Sequence, residues 1–169
     1  MGKWLYWLLP IGWMGIIFYS SAQPYENQDI RPLLGNFLDL SFLEPFLAGI
    51  TFSYNGSEVS VAAQGVAGFL EFFIRKGAHV GVFFVLCCFF FLALRKTTSF
   101  HMRTSLVISF FGTVAYAITD EIHQGFTPNR TPYVGDIILD SVGAIAAVGC
   151  LWLFQRWKTP KTRQNTQPK

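Results

Sequence analysis

Charged side chains are scarce in this chain: aspartate, glutamate, lysine and arginine make up only 14% of its 169 residues. Soluble domains typically carry about 25%. Hydrophobic residues account for 51% of the chain, and they form long runs rather than the spaced pattern of an amphipathic helix or strand. The shortage of charge therefore excludes an ordinary soluble domain, and the runs indicate a protein that crosses a membrane several times.

Cysteine is also scarce, and the three cysteines do not suit a disulfide framework or a metal site. Cys87 and Cys88 are neighbours in sequence, so they point to different faces of a helix and do not form a chelating pair. Together with Cys150 they fall inside apolar runs, where we interpret them as small packing residues. We predict neither a bound metal nor a cofactor.

Four apolar runs come close to the roughly 20 residues that a helix needs to cross a bilayer. We predict spans at residues 4–20, 69–94, 104–123 and 134–155. The predicted fold is an all-α membrane protein, a four-transmembrane-helix bundle in which residues 1–158 form one membrane domain. Residues 159–169 are polar and are predicted to be a disordered cytoplasmic tail. A cleaved signal peptide is the alternative for the first run, because the small residues Ser20-Ser21-Ala22 follow it.

The charged residues are divided unevenly between the two ends of the predicted spans. Nine of the thirteen lysines and arginines lie on the side of the chain termini, and the other four are Arg31, Arg75, Lys76 and Arg130. By the positive-inside rule, both termini are predicted to be cytoplasmic. All ten acidic residues fall on the opposite, extracytoplasmic side. The net charge of +3 is therefore a sum over two faces, and it gives no support for nucleic-acid binding.

The predicted extracytoplasmic loop, residues 21–68, contains a short β-hairpin signal at residues 50–61. Apolar and polar side chains alternate on both sides of Asn55-Gly56, a pair that type I′ turns strongly prefer. Because a lone two-stranded hairpin is marginal in water, we expect its apolar side chains to lie against the bilayer surface or over the helices. The hairpin is either a packed cap, which we favour, or a lid or partner surface.

Ionisable and polar residues form three clusters at the ends of the apolar runs. They are Arg75, Lys76 and His79; Asp120, Glu121, His123 and Gln124; and Arg130, Asp136 and Asp140. The alternating directions of the predicted spans bring all three clusters to the outer face. Ionisable groups are costly at membrane depth, so a chain that keeps them there usually pairs them or uses them in its function.

These clusters are compatible with several roles. In an enzyme, His79 with Asp120 or Glu121 would share acid–base work. In a binding protein, the cations would hold an anionic headgroup, which an arginine grips with two hydrogen bonds. The predicted ligand-binding residues are Lys76, Gln124, Arg130, Asp136 and Asp140.

Three further readings remain open. The clusters would be a purely structural network if the ion pairs served only to join the helix ends. Metal binding by His79 and His123 is weaker, because their spacing matches no closed zinc pattern. Transport is weaker still, because no ionisable relay continues across the predicted bilayer.

The chain resembles the VanZ-like family of small bacterial membrane proteins, and the matching motifs cover most of it. The first is Phe18-x-Ser20-Ser21-x-Gln23, and the second is Arg75-Lys76-x-x-His79. The third is Asp120-Glu121-x-x-Gln124-x-Phe126-x-Pro128-x-Arg130, continued by Asp136-x-x-x-Asp140-x-x-Gly143. Asp140 departs from the family pattern, which often has asparagine there, and His123 is an additional feature.

The resemblance implies a multi-pass protein of the bacterial cytoplasmic membrane with a role in the cell envelope. The family is named for an accessory factor that raises resistance to teicoplanin, a lipid-bearing glycopeptide antibiotic. We therefore expect an outward-facing polar pocket that binds an amphiphile, as a membrane lipid or a lipid-linked envelope precursor, and that lowers susceptibility to such antibiotics. The alternative is an integral-membrane enzyme that modifies a lipid or a lipid-linked sugar by histidine and carboxylate chemistry.

Overall fold

A computed structural model describes residues 2–37, 39–128 and 130–158, so the predicted tail at 159–169 lies outside the described residues. Most of the described chain is helical. The elements in order are a 3-10 turn (Lys3–Trp7), α1 (Leu8–Ser21), α2 (Arg31–Phe37), α3 (Glu44–Leu47), β1 (Thr51–Tyr54), β2 (Ser57–Ser60), α4 (Val61–Thr97), α5 (Met102–Gln124) and α6 (Val134–Lys158). Two more 3-10 turns, Tyr25–Gln28 and Ser41–Leu43, lie between α1 and α3.

Three of these helices, α4, α5 and α6, are long and apolar enough to cross a membrane. The segment Lys3–Ser21 meets the same requirement only when it is joined with Glu26–Gly35 as one bent pair, which raises the number to four. The predictions of a mostly helical chain, of membrane-length helices and of a small two-stranded sheet are confirmed. The number of four spans stays a prediction.

The longest helix, α4, begins eight residues before the predicted second span. Ser60 caps its first turn, because the Ser60 hydroxyl accepts a hydrogen bond of 3.1 Å from the Ala63 N–H. Gly65 then interrupts the helix with φ +69° and ψ 170°, a conformation that glycine adopts without steric cost. Residues 61–68, predicted as loop, are therefore a capped turn, a kink and the start of the long helix.

Helix α4 is the centre of the bundle and contacts α1, α5 and α6. Gly143 of α6 lies so close to α4 that a Cβ atom added there would collide with the Val80 carbonyl. Ala144 and Ala147 continue this small-residue stripe and are fully buried against Cys87. Small side chains let two helix backbones approach closely, which is the usual way that helices pack in membranes.

Helix α1 is tied to the bundle by two hydrogen bonds from aromatic side chains. The Trp13 indole Nε1–H donates to the Val82 carbonyl at 3.0 Å, and the Tyr116 hydroxyl donates to the Met14 carbonyl at 2.6 Å. Ile17 adds a buried apolar contact in the cluster that contains Phe83. These contacts hold the end of α1 next to α4 and α5.

The hairpin forms where the sequence predicted it, with strands at 51–54 and 57–60. Both turn residues have positive φ, 49° at Asn55 and 76° at Gly56, as a type I′ turn requires. Val59 is 2% exposed, and Phe52 packs edge-on against Phe72 of α4. Of the two surfaces that were predicted for its apolar side chains, the hairpin covers the helix bundle.

Candidate functional site

The first contact of the site joins α4, α6 and the hairpin through one carboxylate. The Lys76 ammonium lies 2.6 Å from Asp136 Oδ1, and the Tyr54 hydroxyl donates to the same oxygen at 2.5 Å. The ammonium also lies 4.4 Å from the centre of the Tyr54 ring, a cation–π distance. Burial and then the bond to Asp136 raise the pKa of Tyr54 well above its usual range, so its hydroxyl stays a donor.

A second α4–α6 contact lies one turn further along both helices. His79 Nδ1 is 3.0 Å from Asp140 Oδ1, and Asp140 is only 1% exposed. The side chain of His79 is 21% exposed, and its Nε2 makes no hydrogen bond to a described residue. An ionised carboxylate only accepts hydrogen bonds, so Nδ1 carries the proton. In the neutral ring, Nε2 then has a free electron pair.

A chain of hydrogen bonds that starts on α1 forms the third part of the site. Asp120 Oδ2 accepts from the Ser21 hydroxyl at 2.9 Å and from the Gln124 amide at 3.0 Å. The Gln124 oxygen in turn accepts from Arg130 at 3.0 Å. Gln124 thus fits only with its amide nitrogen towards the carboxylate and its oxygen towards the guanidinium.

Arg130 is half-buried, and its hydrogen-bond acceptors among the described residues are all neutral. They are the Gln23 carbonyl at 3.1 Å, the Gln124 side chain, and the Gln28 side chain at 2.5 Å. Within the described parts of the chain, no carboxylate lies within 4 Å of its guanidinium. Burial lowers the pKa of Arg130, which is the expected cost of a cation without a close anionic partner.

Two predicted residues of α5 lie away from this chain of bonds. Glu121 Oε1 accepts from the Tyr133 backbone N–H at 2.5 Å, while its second oxygen is buried without a described partner. His123 stacks on Phe18 with the ring centres 4.0 Å apart, and its Nε2 is likewise buried without a described partner. Glu121 therefore holds the segment that leads into α6, and His123 packs against α1.

Most of these groups line a cavity of about 880 Å³ between α1, α4 and the hairpin. The predicted residues on its wall are Lys76, His79, Asp120, Gln124, Arg130 and Asp136, together with Arg31, Glu71 and Arg75. Glu121, His123 and Asp140 are not part of the wall. Asp140 therefore reaches the cavity only through His79.

One side of the same cavity is apolar. Trp13, Ile16 and Ile17 of α1 face it, as do Val82 and Phe83 of α4. Ile16 is 58% exposed, and Ala78, another wall residue, is exposed as well. The rest of the described chain therefore leaves these two wall residues open to the surroundings.

The profile of the VanZ/LLP1 family matches residues 6–155, which is nearly the whole described chain and includes every residue of the cavity wall. The chain belongs to the VanZ/LLP1 family. Neither the curated proteins nor the solved structures contain a significant match to it. Membership in this family agrees with the finding that three helices of this VanZ/LLP1 protein are long and apolar enough to cross a membrane.

Several residues of the site in this VanZ/LLP1 protein were missed by the sequence analysis. Glu71 is 2% exposed and pairs with Arg75 at 2.9 Å and with Arg31 at 3.4 Å. Its i,i+4 spacing to Arg75 was a usable signal. Ser21 lies in the first motif of the family resemblance, but its bond to Asp120 had no local signal. The role of Gln28 had none either, because each of the two bonds depends on a partner about 100 residues away in the chain.

In the described parts of the VanZ/LLP1 chain, no three histidine, cysteine, aspartate or glutamate side chains are grouped so that they could hold a metal ion. His79 and His123 in particular have separate surroundings, since one bonds to Asp140 and the other stacks on Phe18.

Proposed function

We propose that this VanZ/LLP1 protein binds an amphiphile, either a membrane lipid or a lipid-linked envelope component, in the cavity between α1, α4 and the hairpin. The observation that carries the proposal is the two-sided wall. One part consists of charged and amide side chains, and the other consists of Trp13, isoleucines and Phe83. Ligand pockets that are mostly apolar with a few convergent polar groups suit a molecule of this kind.

The headgroup of the amphiphile is anionic in this proposal, and Arg130 is its main contact. Lys76 already has Asp136 as a partner, and Arg75 already has Glu71. Arg130 has only neutral acceptors among the described residues. A half-buried guanidinium gains most from a new anion, because its charge is poorly solvated and its donors fit a phosphate or carboxylate. Gln124 and Asp120 keep it in position.

The protein is placed in the bacterial cytoplasmic membrane as a four-span, multi-pass protein with both termini inside. Support comes from the basic residues at the termini and in the short connection between α4 and α5. In this orientation the segment Lys3–Ser21 is the first span. The cavity and the hairpin then lie at the extracytoplasmic face, where envelope precursors are used.

Lipid retention by the purified full-length protein tests the binding function. Native mass spectrometry would compare phosphatidylglycerol with phosphatidylcholine of identical acyl chains. The wild type is expected to retain the anionic lipid, and Arg130→Gln is expected to weaken this retention about tenfold, the effect of losing one charged hydrogen bond. Arg103→Gln, at the opposite end of α5, is the matched control and should bind like the wild type. Equal retention of the two lipids by the wild type would contradict the proposal.

A lipid-bearing antibiotic is an amphiphile of the same general class. We therefore propose that the protein lowers susceptibility to teicoplanin-type antibiotics by holding their acyl chain or a lipid that they need. Expression in a susceptible bacterium is expected to raise the inhibitory concentration of teicoplanin, but not that of a glycopeptide without an acyl chain. Arg130→Gln should abolish the difference, and an equal effect on both antibiotics would argue against it.

A further inference from the structure

We propose that His79 is a nucleophile that removes the terminal phosphate from a lipid diphosphate bound in the cavity. This inference rests on the proposed function, because it needs an anionic amphiphile in the same place. It adds a reaction, a substrate class and a role for the contact between His79 and Asp140.

The first argument is the state of the histidine. Asp140 is almost completely buried, and it accepts a hydrogen bond from His79 Nδ1. This bond fixes the orientation of the ring, and in the neutral ring it leaves the electron pair on Nε2. Nε2 makes no hydrogen bond to a described residue, and His79 lies on the cavity wall. A buried carboxylate behind a histidine that faces a cavity is an arrangement that enzymes use to activate the ring.

The second argument is the charge around the histidine. Lys76 lies one turn from His79 on the same helix, and Arg75 and Arg130 share the cavity wall with both. Lys76 and Arg75 are each paired with a carboxylate of the wall, so Arg130 supplies the positive charge that has no carboxylate partner among the described residues. Positive groups neutralise the non-bridging oxygens of a phosphate, so that a nucleophile can approach the phosphorus. Such positioning and charge stabilisation supply most of the catalysis in phosphoryl transfer.

The reaction has two balanced steps. In the first, the Nε2 electron pair forms a bond to the terminal phosphorus while the bond from phosphorus to the bridging oxygen breaks. The electron pair of that bond leaves with the lipid monophosphate. In the second step, the oxygen of a water molecule attacks the phosphorus, and the phosphorus–nitrogen bond breaks. The electron pair of this bond returns to Nε2, and both protons of the water leave with the phosphate as dihydrogen phosphate.

A diphosphate is the substrate class that asks least of the protein. Its leaving group is a phosphate, which departs as a stable anion and needs no proton donor. Cleavage of a lipid monophosphate would release an alkoxide, which needs a proton from a nearby acid. The cations of the wall can stabilise the negative charge of the departing lipid monophosphate, so no proton transfer is needed.

The alternative for His79 and Asp140 is a structural contact that only holds α4 against α6. A structural contact predicts that substitutions lower stability without any covalent chemistry on the ring. A nucleophile predicts a phosphohistidine, which survives alkali and is lost in acid. This intermediate is therefore the decisive measurement.

The test uses the purified full-length protein with farnesyl diphosphate, an amphiphile with one apolar chain and a terminal phosphoanhydride. The wild type is expected to release phosphate and to carry an alkali-stable phosphate label on the peptide that contains His79. His79→Gln should lose both signals, and Asp140→Asn should slow phosphate release by about 100-fold or more. His123→Gln is the matched control, since His123 is not on the wall, and it should keep both signals. Retention of farnesyl diphosphate by native mass spectrometry shows that each variant is folded.

The possible failures are distinguishable. If the wild type retains farnesyl diphosphate but releases no phosphate, the inference is overturned and the binding function stands. If it retains neither farnesyl diphosphate nor phosphatidylglycerol, both proposals fail. Phosphate release that persists in His79→Gln, or that proceeds without a labelled histidine, overturns the role of His79.

Discussion

At the scale of single residues, Gln124 shows how the site depends on the direction of each hydrogen bond. Its amide nitrogen donates to Asp120, and its oxygen accepts from Arg130. Asp120 and Gln124 are four residues apart, so they lie on the same face of a helix. The link to Arg130 was not predictable, because it depends on how the short connection between α5 and α6 folds back.

Gln124→Glu tests this chain of bonds. The new carboxylate would lie against Asp120 Oδ2, which loses a donor and gains a like charge, although Arg130 keeps an acceptor. We expect the free energy of unfolding to fall by about 1–3 kcal/mol, measured by thermal unfolding in one detergent.

The control for this prediction is the pair Asp120→Asn with Gln124→Glu. An asparagine at position 120 presents an amide donor to the new carboxylate, so the double variant should recover much of the lost stability. If Gln124→Glu alone is as stable as the wild type, the hydrogen bond from Gln124 to Asp120 does not stabilise the fold.

At the scale of elements, the sequence predicted those that carry a strong local signal. Asn55-Gly56 predicted the hairpin, and the apolar runs predicted the long helices. The start of α4 was missed because residues 61–68 contain Gln64 and two glycines among small apolar residues. The cap at Ser60 and the kink at Gly65 reconcile that composition with a helix.

Two glycines of α6 provide a matched test of the α4–α6 contact. Gly143 lies against the Val80 carbonyl, whereas nothing lies within 4 Å of a Cβ atom added at Gly149. Gly143→Ala should therefore lower the free energy of unfolding by about 1–3 kcal/mol, the usual cost of overpacking. Gly149→Ala should be neutral, or stabilising by up to about 1 kcal/mol, because alanine is the better helix former. Equal unfolding temperatures for the two variants would contradict this close contact.

At the scale of the whole molecule, the sequence predicted that three distant clusters meet at one end of the bundle. Lys76 with Asp136 and His79 with Asp140 join the first cluster to the third, and Gln124 with Arg130 joins the second to the third. His79 was predicted to share acid–base work with Asp120 or Glu121, but its carboxylate partner is Asp140. This partner was not predictable, because packing rather than sequence spacing sets the relative rotation of α4, α5 and α6. The contribution of α1, through Ser21, depended on the same packing.

The distribution of charges predicts an orientation in the membrane that can be tested directly. Ser53 of the hairpin and Ser99 between α4 and α5 are both exposed serines, at opposite ends of α4. In a variant without the native cysteines, Ser53→Cys should react with an impermeant maleimide on intact cells, and Ser99→Cys should react only after lysis. The reverse pattern would place the cavity on the cytoplasmic side.

The exposure of the wall residues Ile16 and Ala78 has a consequence for how a ligand enters the cavity. If α1 and α4 both cross the bilayer, these residues face the acyl chains, so a ligand can enter laterally from the bilayer without passing through water. Occupancy then depends on how strongly a compound partitions into the lipid phase, and on a search in two dimensions. A strongly hydrophobic compound at low concentration would then occupy the cavity in preference to a water-soluble compound at higher concentration that carries the same anionic group.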